Sequence, residues 1–426
     1  PNPQAPAIAH EAILAIQRDA ENLSSKETSA IFKAWRLQEA SAATENNQIV
    51  ELWKRFPKAK TSVLHLKERS GSKNRITHRL DRGNWDHPKE VVAPGVPAFL
   101  HPMDGHPDSP PRLRFAYWLV DSRSPLTARV AVNRIWQQIF GKGLVETVDD
   151  LGTRTKPPLQ QDLLDWLAVD FMEHGWSRKQ LIRTILSSAT YQQESKTTTT
   201  SFQNDPGNAY LSRGPRFRAD AEVIRDIALS VSGLIHHEIG GPSVIPPVPQ
   251  NVLDYNYVYP SYWKPAVGPQ RYRRAVYSFR KRSMPDPSMS SLDAPNADTS
   301  CVMRIRSNTP LAALTTLNET IFVEASRALA LRVLKESANN DRDRIRYAYQ
   351  LCTAREPNRS EQESVLTLLE SQRERIAEGW LDARMITTGD ANQLPKLPPD
   401  ITPQDAAAWT ITARVLLNLD ETISKN

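Results

Sequence analysis

Several side chains that could do chemistry occur together in one stretch of the sequence, SPLTARVAVNRIWQQIFGKGLVETVDDLGT, which runs from position 124 to 153. Arg134 lies in its middle, and Asp149 and Asp150 lie near its end. An arginine can hold an anionic group through paired N–H donors, and a carboxylate can accept a proton from a reacting group. We therefore take Arg134, Asp149 and Asp150 as candidate catalytic residues.

Three further polar side chains in the stretch, Arg129, Asn133 and Gln137, are candidates for substrate binding. Arg129 and Asn133 share a helix face, so they can line a pocket wall on which Arg129 or Arg134 holds an anion. The alternative is structural, because half-buried arginines commonly bind neighbouring carbonyls and carboxylates, here the two aspartates. Ion-pair networks imitate functional sites, and both interpretations stay open at this point.

A second group of charged residues follows in SRGPRFRADAEVIRDIALSVSGL, where Arg216, Arg218, Glu222, Arg225 and Asp226 occur within eleven positions. Glu222 lies three or four residues from each of Arg218, Arg225 and Asp226, which is typical of ion pairs along a helix. Such a series usually braces a helix against a loop. As a functional hypothesis, the five residues face the same pocket as the first group and bind substrate.

A loop with the sequence HPMDGHPD contains His101, Asp104, His106 and Asp108, which are residue types that bind metals. Proline- and glycine-rich loops also collect histidine and aspartate because these residues form turns. No third histidine lies at a fixed ligand spacing, so we expect no metal here. The chain also has no CxxCH motif and therefore no c-type haem attachment of its own. The cofactor is left unassigned.

A helix must position the first group of charged residues. Ser124 and Pro125 are typical of a helix start, since serine caps and proline lacks the N–H that would be unpaired there. Gly141 is typical of a helix end. Between them, apolar residues recur every three or four positions and predict one buried stripe; they are Ala128, Val132, Ile135 and Ile139.

Amphipathic segments with start and stop signals predict helices at 158–174, 177–192 and 220–234, and over much of the C-terminal part. The segment 271–282, RYRRAVYSFRKR, alternates and predicts a strand. We therefore expect a mainly α fold, a multi-helix globular domain with a few short strands and long proline-rich loops.

Composition restricts the class of protein. The 54 basic and 48 acidic residues are interspersed, and a net charge of +6 without a basic stripe argues against nucleic-acid binding. No run of about 18 apolar residues occurs, so we expect no membrane span. The two cysteines, Cys301 and Cys352, are too few for a disulfide framework, and whether they pair is open.

Changes in composition divide the chain into three parts. Residues 1–58 predict an N-terminal helical connector, and residues 59–111 an extended, strand-containing linker that becomes proline-rich at 88–111. Residues 112–426 predict the helical core domain. The chain begins with proline and without a leader, so we expect it to be a trimmed or processed piece of a longer protein.

The motifs resemble a known family. They are PLTARVAVNRIWQQIFGKGLVETVDDLGT, LLDWLAVDFMEHGWSRKQLIRTILSSATYQQES, DPGNAYLSRGPRFRADAEVIRDIALSVSGL, LDAPNADTSCVMRIRSNTPLAALTTLN and WTITARVLLNLDE. Together they are similar to the domain-of-unknown-function 1553 family of planctomycetes and verrucomicrobia, over roughly 60–426. The sequence departs from the family pattern near Asn296 and Ala297, where an acid–arginine pair is usual.

The resemblance implies a helical C-terminal domain of a large exported protein, and hence a periplasmic or otherwise extracytoplasmic location. It also implies a partner, an upstream domain or a separate chain of the same protein, often a cytochrome c domain that carries haem. Carbohydrate-binding modules occur in the family, so polysaccharide is a further expected partner. The resemblance implies no assigned reaction.

Two functions are consistent with these observations. The first is the catalytic or substrate-binding part of a cytochrome-linked oxidoreductase acting on polysaccharide-derived sugars. The second is a non-catalytic scaffold that docks an upstream domain or binds glycan. Charged groups that converge on an open cleft favour the first, and the same groups fully paired favour the second. Exposed aromatic residues would bind glycan by stacking; they are Tyr255, Tyr257, Tyr259, Tyr262 and Trp263.

Overall fold

A computed structural model describes residues 9–17, 23–56, 64–69, 75–248, 264–282, 284–337, 340–399 and 401–425. These residues are mainly α-helical and contain two small two-stranded sheets, which confirms the mainly α fold expected from the sequence. No helix among them is long and apolar enough to cross a membrane. The chain divides into two units, Pro1–Leu64 and His65–Asn426, and each is described by itself.

The described residues of the first unit form three α-helices, α1 (His10–Ile16), α2 (Ser25–Gln38) and α3 (Ala43–Arg55), with a 3-10 turn at Ala40–Ala42. Ser24 begins α2 with a capping box, in which its hydroxyl accepts from the Glu27 amide and the Glu27 carboxylate accepts from the Ser24 amide. Few side chains are buried here, and they are small: Ala12, Ala15, Ala34 and Asn46.

The second unit begins with a hairpin and a helix that lie largely in solvent. Strands β1 (His78–Asp81) and β2 (Asn84–Val91) pair antiparallel, and helix α4 (Pro111–Leu119) follows. Gly83 takes the left-handed conformation in the hairpin turn, with φ of 79°. None of the described residues between 65 and 120 is buried. This part of the unit therefore contributes no hydrophobic core.

A first hydrophobic core is built from three helices, α5 (Thr127–Phe140), α6 (Gln161–Glu173) and α7 (Arg178–Leu186). The buried face of α5 recurs every four residues, as a helix packed on one side requires. Gly141 ends α5 in the left-handed conformation, as predicted, while the helix begins at Thr127 rather than at Pro125. The core residues of α5 are Ala128, Val132, Trp136 and Phe140.

The rest of the unit is a longer helical array. Its elements are α8 (Thr199–Asn204), β3 (Phe217–Arg218), α9 (Ala221–Val231), 3-10 turns at Gly268–Tyr272 and Ala275–Tyr277, α10 (Pro287–Ser291), α11 (Pro310–Asn318), α12 (Thr320–Glu336), α13 (Asp341–Thr353), α14 (Arg359–Ala377), α15 (Ala383–Thr388), α16 (Pro403–Leu417), α17 (Asp420–Ile423) and β4 (Ser424–Lys425).

A second hydrophobic core surrounds α16, which contacts α12, α14 and α15. Ala406, Ala407 and Ala408 are fully buried, because small side chains let neighbouring helices approach closely. Thr410 and Thr412 are buried too, and each hydroxyl donates to the carbonyl four residues before it. A helix that is buried on several sides therefore shows little amphipathic periodicity in its sequence.

The two cores of this unit are joined by the short sheet of β3 and β4, which pair antiparallel. The Nζ atom of Lys425 donates to the carbonyl of Ile139 near the end of α5, at 3.1 Å, and lies 4.0 Å from the centre of the Tyr191 ring. A Cβ on Gly141 would lie 2.6 Å from the ring of Phe217, so only glycine fits there. The C-terminal strand therefore contacts both cores.

The prediction of a strand at 271–282 is wrong. The segment forms two 3-10 turns, and its only pairings among the described residues are single bridges, His236 with Arg273 and Val244 with Ser278. The alternation arises because Arg273 and Ala275 are both buried. The guanidinium of Arg273 donates to the carbonyls of Pro242, Glu238 and Gly240, so it fixes a loop instead of belonging to a sheet.

Candidate functional site

Arg129 links two helices of the first core. Its Nε atom donates to the Asp165 carboxylate of α6 at 2.5 Å, and its Nη1 atom donates to the carbonyl of Pro125 at 2.5 Å. Hydrogen bonds from Arg129 and then from Gln161 hold the pKa of Asp165 below its usual value. The guanidinium therefore donates hydrogen bonds to protein groups around the first core.

Asn133 is buried and holds the backbone of the following loop. Its side-chain amide donates to the carbonyl of Val145 at 3.0 Å, and its side-chain oxygen accepts from the amide of Val145 at 2.9 Å. Gly143 lies so close that a Cβ there would be 2.8 Å from the Asn133 amide. Asn133 thus pairs with Val145 as a backbone group would, and its side chain is buried instead of facing a cleft.

The three candidate catalytic residues are not joined to one another. Arg134 and Asp149 are exposed, and neither side chain bonds to a described residue. Asp150 forms a local turn, in which its carboxylate accepts from the amide of Gly152 at 3.0 Å and pairs with Arg154 at 3.0 Å. Gln137 is half-buried and its side chain makes no hydrogen bond to a described residue.

Arg225 and Asp226 attach α9 to the segment that follows residue 270. Arg225 is 3 % exposed, and its guanidinium donates to the carbonyls of Arg273 and Arg271 at 2.7 and 3.0 Å. Burial lowers the pKa of Arg225. The Asp226 carboxylate accepts from the amide of Ala275 at 2.7 Å and from Nε of Arg274 at 3.2 Å.

Glu222 is held by two arginines from other parts of the chain. Arg304 donates to it twice, at 2.6 and 3.3 Å, and Arg280 forms a second ion pair. Burial acts to raise the pKa of Glu222, but the hydrogen bonds and charges of Arg304 and Arg280 outweigh it, so this pKa lies below its usual value. Glu222 is therefore an ionised partner of arginine and is unsuited to accept a proton near neutral pH.

Arg216 and Arg218 are also paired. Arg216 binds the Asp420 carboxylate near the C-terminus. Arg218 is buried, pairs with Asp293 and donates to the carbonyl of Leu292 at 3.2 Å. Asp293 in turn accepts from the amide of Ser307 at 2.8 Å. Burial lowers the pKa of Arg218, whose Nε and Nη1 atoms are buried without a described partner.

The charged residues of α9 and β3 therefore connect these elements to the segment 271–307, and they do not form a ladder along the helix. The side chains of the first group, on α5 and in the loop after it, form their hydrogen bonds and ion pairs with residues around the first core. Within the described residues the two groups do not converge as one set of free polar side chains. Their partners are mostly backbone carbonyls or acids distant in sequence, which residue spacing within one helix does not reveal.

The histidine-containing loop has a packing role. His101 stacks on Trp118 with ring centres 4.8 Å apart, and His106 stacks on Tyr117 at 4.0 Å. Asp104 forms an ion pair with Arg123 at 2.9 Å. Across the described residues, no group of three or more histidine, cysteine or acidic side chains could hold a metal ion.

The two cysteines are both free, so they do not pair. Cys301 is exposed, and its Sγ atom donates to the carbonyl of Met303 at 3.2 Å. Cys352 is buried, and burial raises the pKa of its thiol to about 12. A buried thiol with such a pKa is not a nucleophile near neutral pH.

Glu319 is a candidate that the sequence did not reveal. Burial raises its pKa to about 7, and the nearby charges of Asp286 and Glu324 act in the same direction. The amide of Ile321 donates to its Oε2 atom at 2.9 Å and, with the charge of Arg225, opposes the shift. The sequence signal is only its position between α11 and α12, where it caps α12.

A small pocket lies between the segment 275–281 and α10. Glu222 and Asp286 line it, together with Arg280, Lys281 and the ring of Phe279. Glu222, a candidate substrate-binding residue, therefore lies at a concave part of the surface. The aromatic residues at 255–263, which would bind glycan if exposed or cover the core if buried, lie outside the described residues.

Comparisons with known proteins agree with the resemblance seen in the motifs. Residues 111–369 match the family model described as PSD1, protein of unknown function (DUF1553). The match begins at α4 and extends into α14, so it includes helices of both cores. No curated protein matches the chain, and no solved structure does. Since the family model covers more than half of the sequence, the chain belongs to the DUF1553 family.

Proposed function

We propose that this domain is a docking module, and that α4 with the hairpin before it forms the docking face. The observation that carries the proposal is a run of ordered structure without a core. None of the described residues from 65 to 120 is buried, although they form two strands and a helix. Isolated hairpins and short helices are only marginally stable in water, so a partner surface would complete this part.

The apolar residues of α4 are unusually open to solvent. Leu113, Phe115 and Tyr117 of α4, and Val120 directly after it, are each between 42 and 47 % exposed. Phe115 stacks on Trp118, with ring centres 5.6 Å apart, so its ring is already oriented before a partner arrives. Burying a fully exposed side chain of this kind contributes about 1.5–3 kcal/mol, so covering the exposed half of each contributes roughly half of that, and a few of them are enough for a specific contact.

The state of the charged residues supports docking over catalysis. A catalytic site needs groups that meet the substrate, whereas Arg129, Glu222, Arg225 and Asp226 are occupied by protein partners. Arg134 and Asp149, which are unpaired among the described residues, are exposed side chains without a common cleft. The alternative of a cytochrome-linked oxidoreductase acting on sugars has the family resemblance as its support.

The partner that we propose is the domain that precedes this one in members of the family, often of cytochrome c type. The setting that goes with it is extracytoplasmic. Both the partner and the setting follow from the resemblance in the motifs. The family match over 111–369 supports the family membership alone. In this proposal any haem resides on the partner, and this domain supplies the surface that holds it.

The test is a binding measurement between this chain and the upstream domain, each produced separately. Phe115→Glu places a charge on the docking face and is expected to weaken binding at least tenfold, which corresponds to about 1.4 kcal/mol. Trp380→Glu is the matched control, because Trp380 is 75 % exposed and lies far away in sequence. Equal binding by the wild type and Phe115→Glu, or no binding by the wild type, would overturn the proposal.

A further inference from the structure

We propose that the segment 303–307, in the loop between α10 and α11, binds an extended peptide as an added β-strand. The peptide that fits has apolar side chains on one face and acidic side chains on the other. The site is separate from α4 and its hairpin, and it does not depend on the docking function. The proposal rests on the open backbone of the segment, on the alternation of its side chains and on the charges beside it.

The backbone of this segment is open. The chain has no turn or bend from 304 to 308. The amides of Met303, Arg304, Ile305 and Arg306 donate to no described residue, and the carbonyls of the last three accept from none. Donors and acceptors along such a segment are the groups that pair with another strand. A peptide strand can therefore replace the water that solvates these groups.

Two arginines fix the segment on its inner face. The guanidinium of Arg304 donates to the Glu222 carboxylate of α9 at 2.6 Å, and the Nε atom of Arg306 donates to the Asp220 carboxylate at 3.0 Å. The two arginines are two positions apart, which is the spacing of side chains on one face of a strand. Because the segment is held before a peptide arrives, binding costs less conformational entropy.

The side chains next to these arginines are open to solvent. Ile305 is 74 % exposed and Met303 is 51 % exposed. Alternation of inner and outer side chains is the period of a strand, and an added strand places its own side chains level with those of its neighbour. Apolar residues of the peptide would then pack beside Met303 and Ile305, and its other face would meet the arginines.

Charge is distributed so that the arginines lie outside and their acidic partners inside. Arg280 also pairs with Glu222, so it lies beside Arg304. The side chains of Arg280 and Arg304 are 41 and 32 % exposed, whereas those of Asp220 and Glu222 are 15 and 16 % exposed. The surface at the inner face of the segment is therefore positive towards solvent, and it favours acidic side chains on the incoming strand.

Fluorescence polarisation with the full chain tests the site. The probe is a fluorescein-labelled heptapeptide in which glutamate and valine alternate. We expect it to bind with a dissociation constant on the order of 100 μM or tighter. A peptide with the same residues in two blocks, and an alternating peptide with lysine in place of glutamate, should each bind at least tenfold more weakly. No binding by the alternating glutamate peptide, or equal binding by either comparison peptide, would overturn the proposal.

N-methylation of the peptide separates strand pairing from charge attraction. Successive amides of a strand point to opposite edges, so one probe is methylated on the amides of one edge and a second probe on those of the other. Strand addition predicts that one of these probes loses at least tenfold in affinity while the other binds like the parent peptide. Equal affinity of both methylated probes and the parent would refute pairing through the backbone.

A variant of the chain locates the peptide. Ile305→Glu places a negative charge beside the incoming strand and is expected to weaken binding of the alternating glutamate peptide at least tenfold. Ile239→Glu is the matched control, because Ile239 is an isoleucine that is 89 % exposed, and it should leave binding unchanged. Circular dichroism confirms that both variants are folded. Undiminished binding by Ile305→Glu would place the peptide elsewhere and refute this site.

Discussion

At the scale of single residues, charged side chains in this protein act mainly as connectors. Arg225 and Arg273 are both buried, and each donates to backbone carbonyls of a loop that has no regular partner. Arginine suits this task because its planar guanidinium offers several donors and remains charged when desolvated. Because these donors suit a ligand as well as a carbonyl, arginines three or four residues from acids in the sequence suggested a binding site.

Glu319 gives a pH-dependent prediction. Its pKa of about 7 in the folded chain exceeds the value of 4.5 for a free glutamate, because burial and the charges of Asp286 and Glu324 disfavour ionisation. The folded state therefore binds the proton more tightly than the unfolded state. The corresponding stability is fully present below about pH 4.5 and is lost as the pH rises through about 7.

We expect Glu319→Gln to remove this loss, since glutamine stays neutral and can still accept from the amide of Ile321. Relative to the wild type, the free energy of unfolding of the variant should rise by about 2.5 kcal/mol between pH 5 and pH 8. Urea denaturation across this range measures it. If the two proteins show parallel pH curves, Glu319 ionises as an ordinary surface glutamate and this description of its surroundings is wrong.

At the scale of elements, the sequence predicted regular helices well and irregular connections poorly. The glycine at the end of α5 is a local signal that appears in the structure, and Ala128 and Val132 are buried as predicted. Ile135 and Ile139 are only partly buried, because Trp136 and Phe140 complete the buried face in their place. The segment 271–282 was predicted as a strand because its side chains alternate, but their alternation serves contacts with distant loops. The alternation of buried and exposed side chains does not by itself show that a segment pairs with a strand, because side chains can be buried in the same order without such pairing.

The candidate site shows the same limit. The residue types in the two charged groups were evident from the sequence, while their partners were not, because Glu222 pairs with Arg304 and Arg216 with Asp420 across long separations. The raised pKa of Glu319 depends on burial by several elements, and no local pattern encodes it. The apolar exposure of α4 also becomes visible only when its neighbours are known.

Asn133 provides a prediction about the join between α5 and the loop after it. Asn133→Ala leaves the amide and carbonyl of Val145 buried without their partners, so the free energy of unfolding should fall by about 2–3 kcal/mol. Gln137→Ala is the control on the same helix, where no side-chain hydrogen bond is lost, and it should cost less than about 1 kcal/mol. Chemical denaturation of both variants decides; similar losses would show that the Asn133 bonds contribute nothing specific.

At the scale of the second unit, the C-terminal strand contacts both hydrophobic cores. Lys425 donates to the carbonyl of Ile139 and lies over Tyr191, while Ser424 pairs with Arg218 in the sheet. Burial lowers the pKa of the Lys425 amine, because the charged form is less well solvated there. A single residue near the end of the chain therefore holds helices that are distant in sequence.

Lys425→Ala is expected to loosen this join. Loss of the hydrogen bond and of the contact with the Tyr191 ring should lower the free energy of unfolding by about 1–2 kcal/mol and make unfolding less cooperative. Lys179→Ala, at an exposed position of α7, is the control and should have no effect. Calorimetry measures both quantities, and an unchanged single transition in Lys425→Ala would show that the cores are coupled by other contacts.

The most direct test of the central claim is hydrogen–deuterium exchange of this chain with and without the upstream domain. The docking account predicts that amides of α4 and of the hairpin at 78–91 exchange more slowly in the complex, because both lie in solvent in the chain alone. Exchange near the pocket at 275–290 should not change. Unaltered exchange in α4, with new protection elsewhere or none at all, would contradict the account.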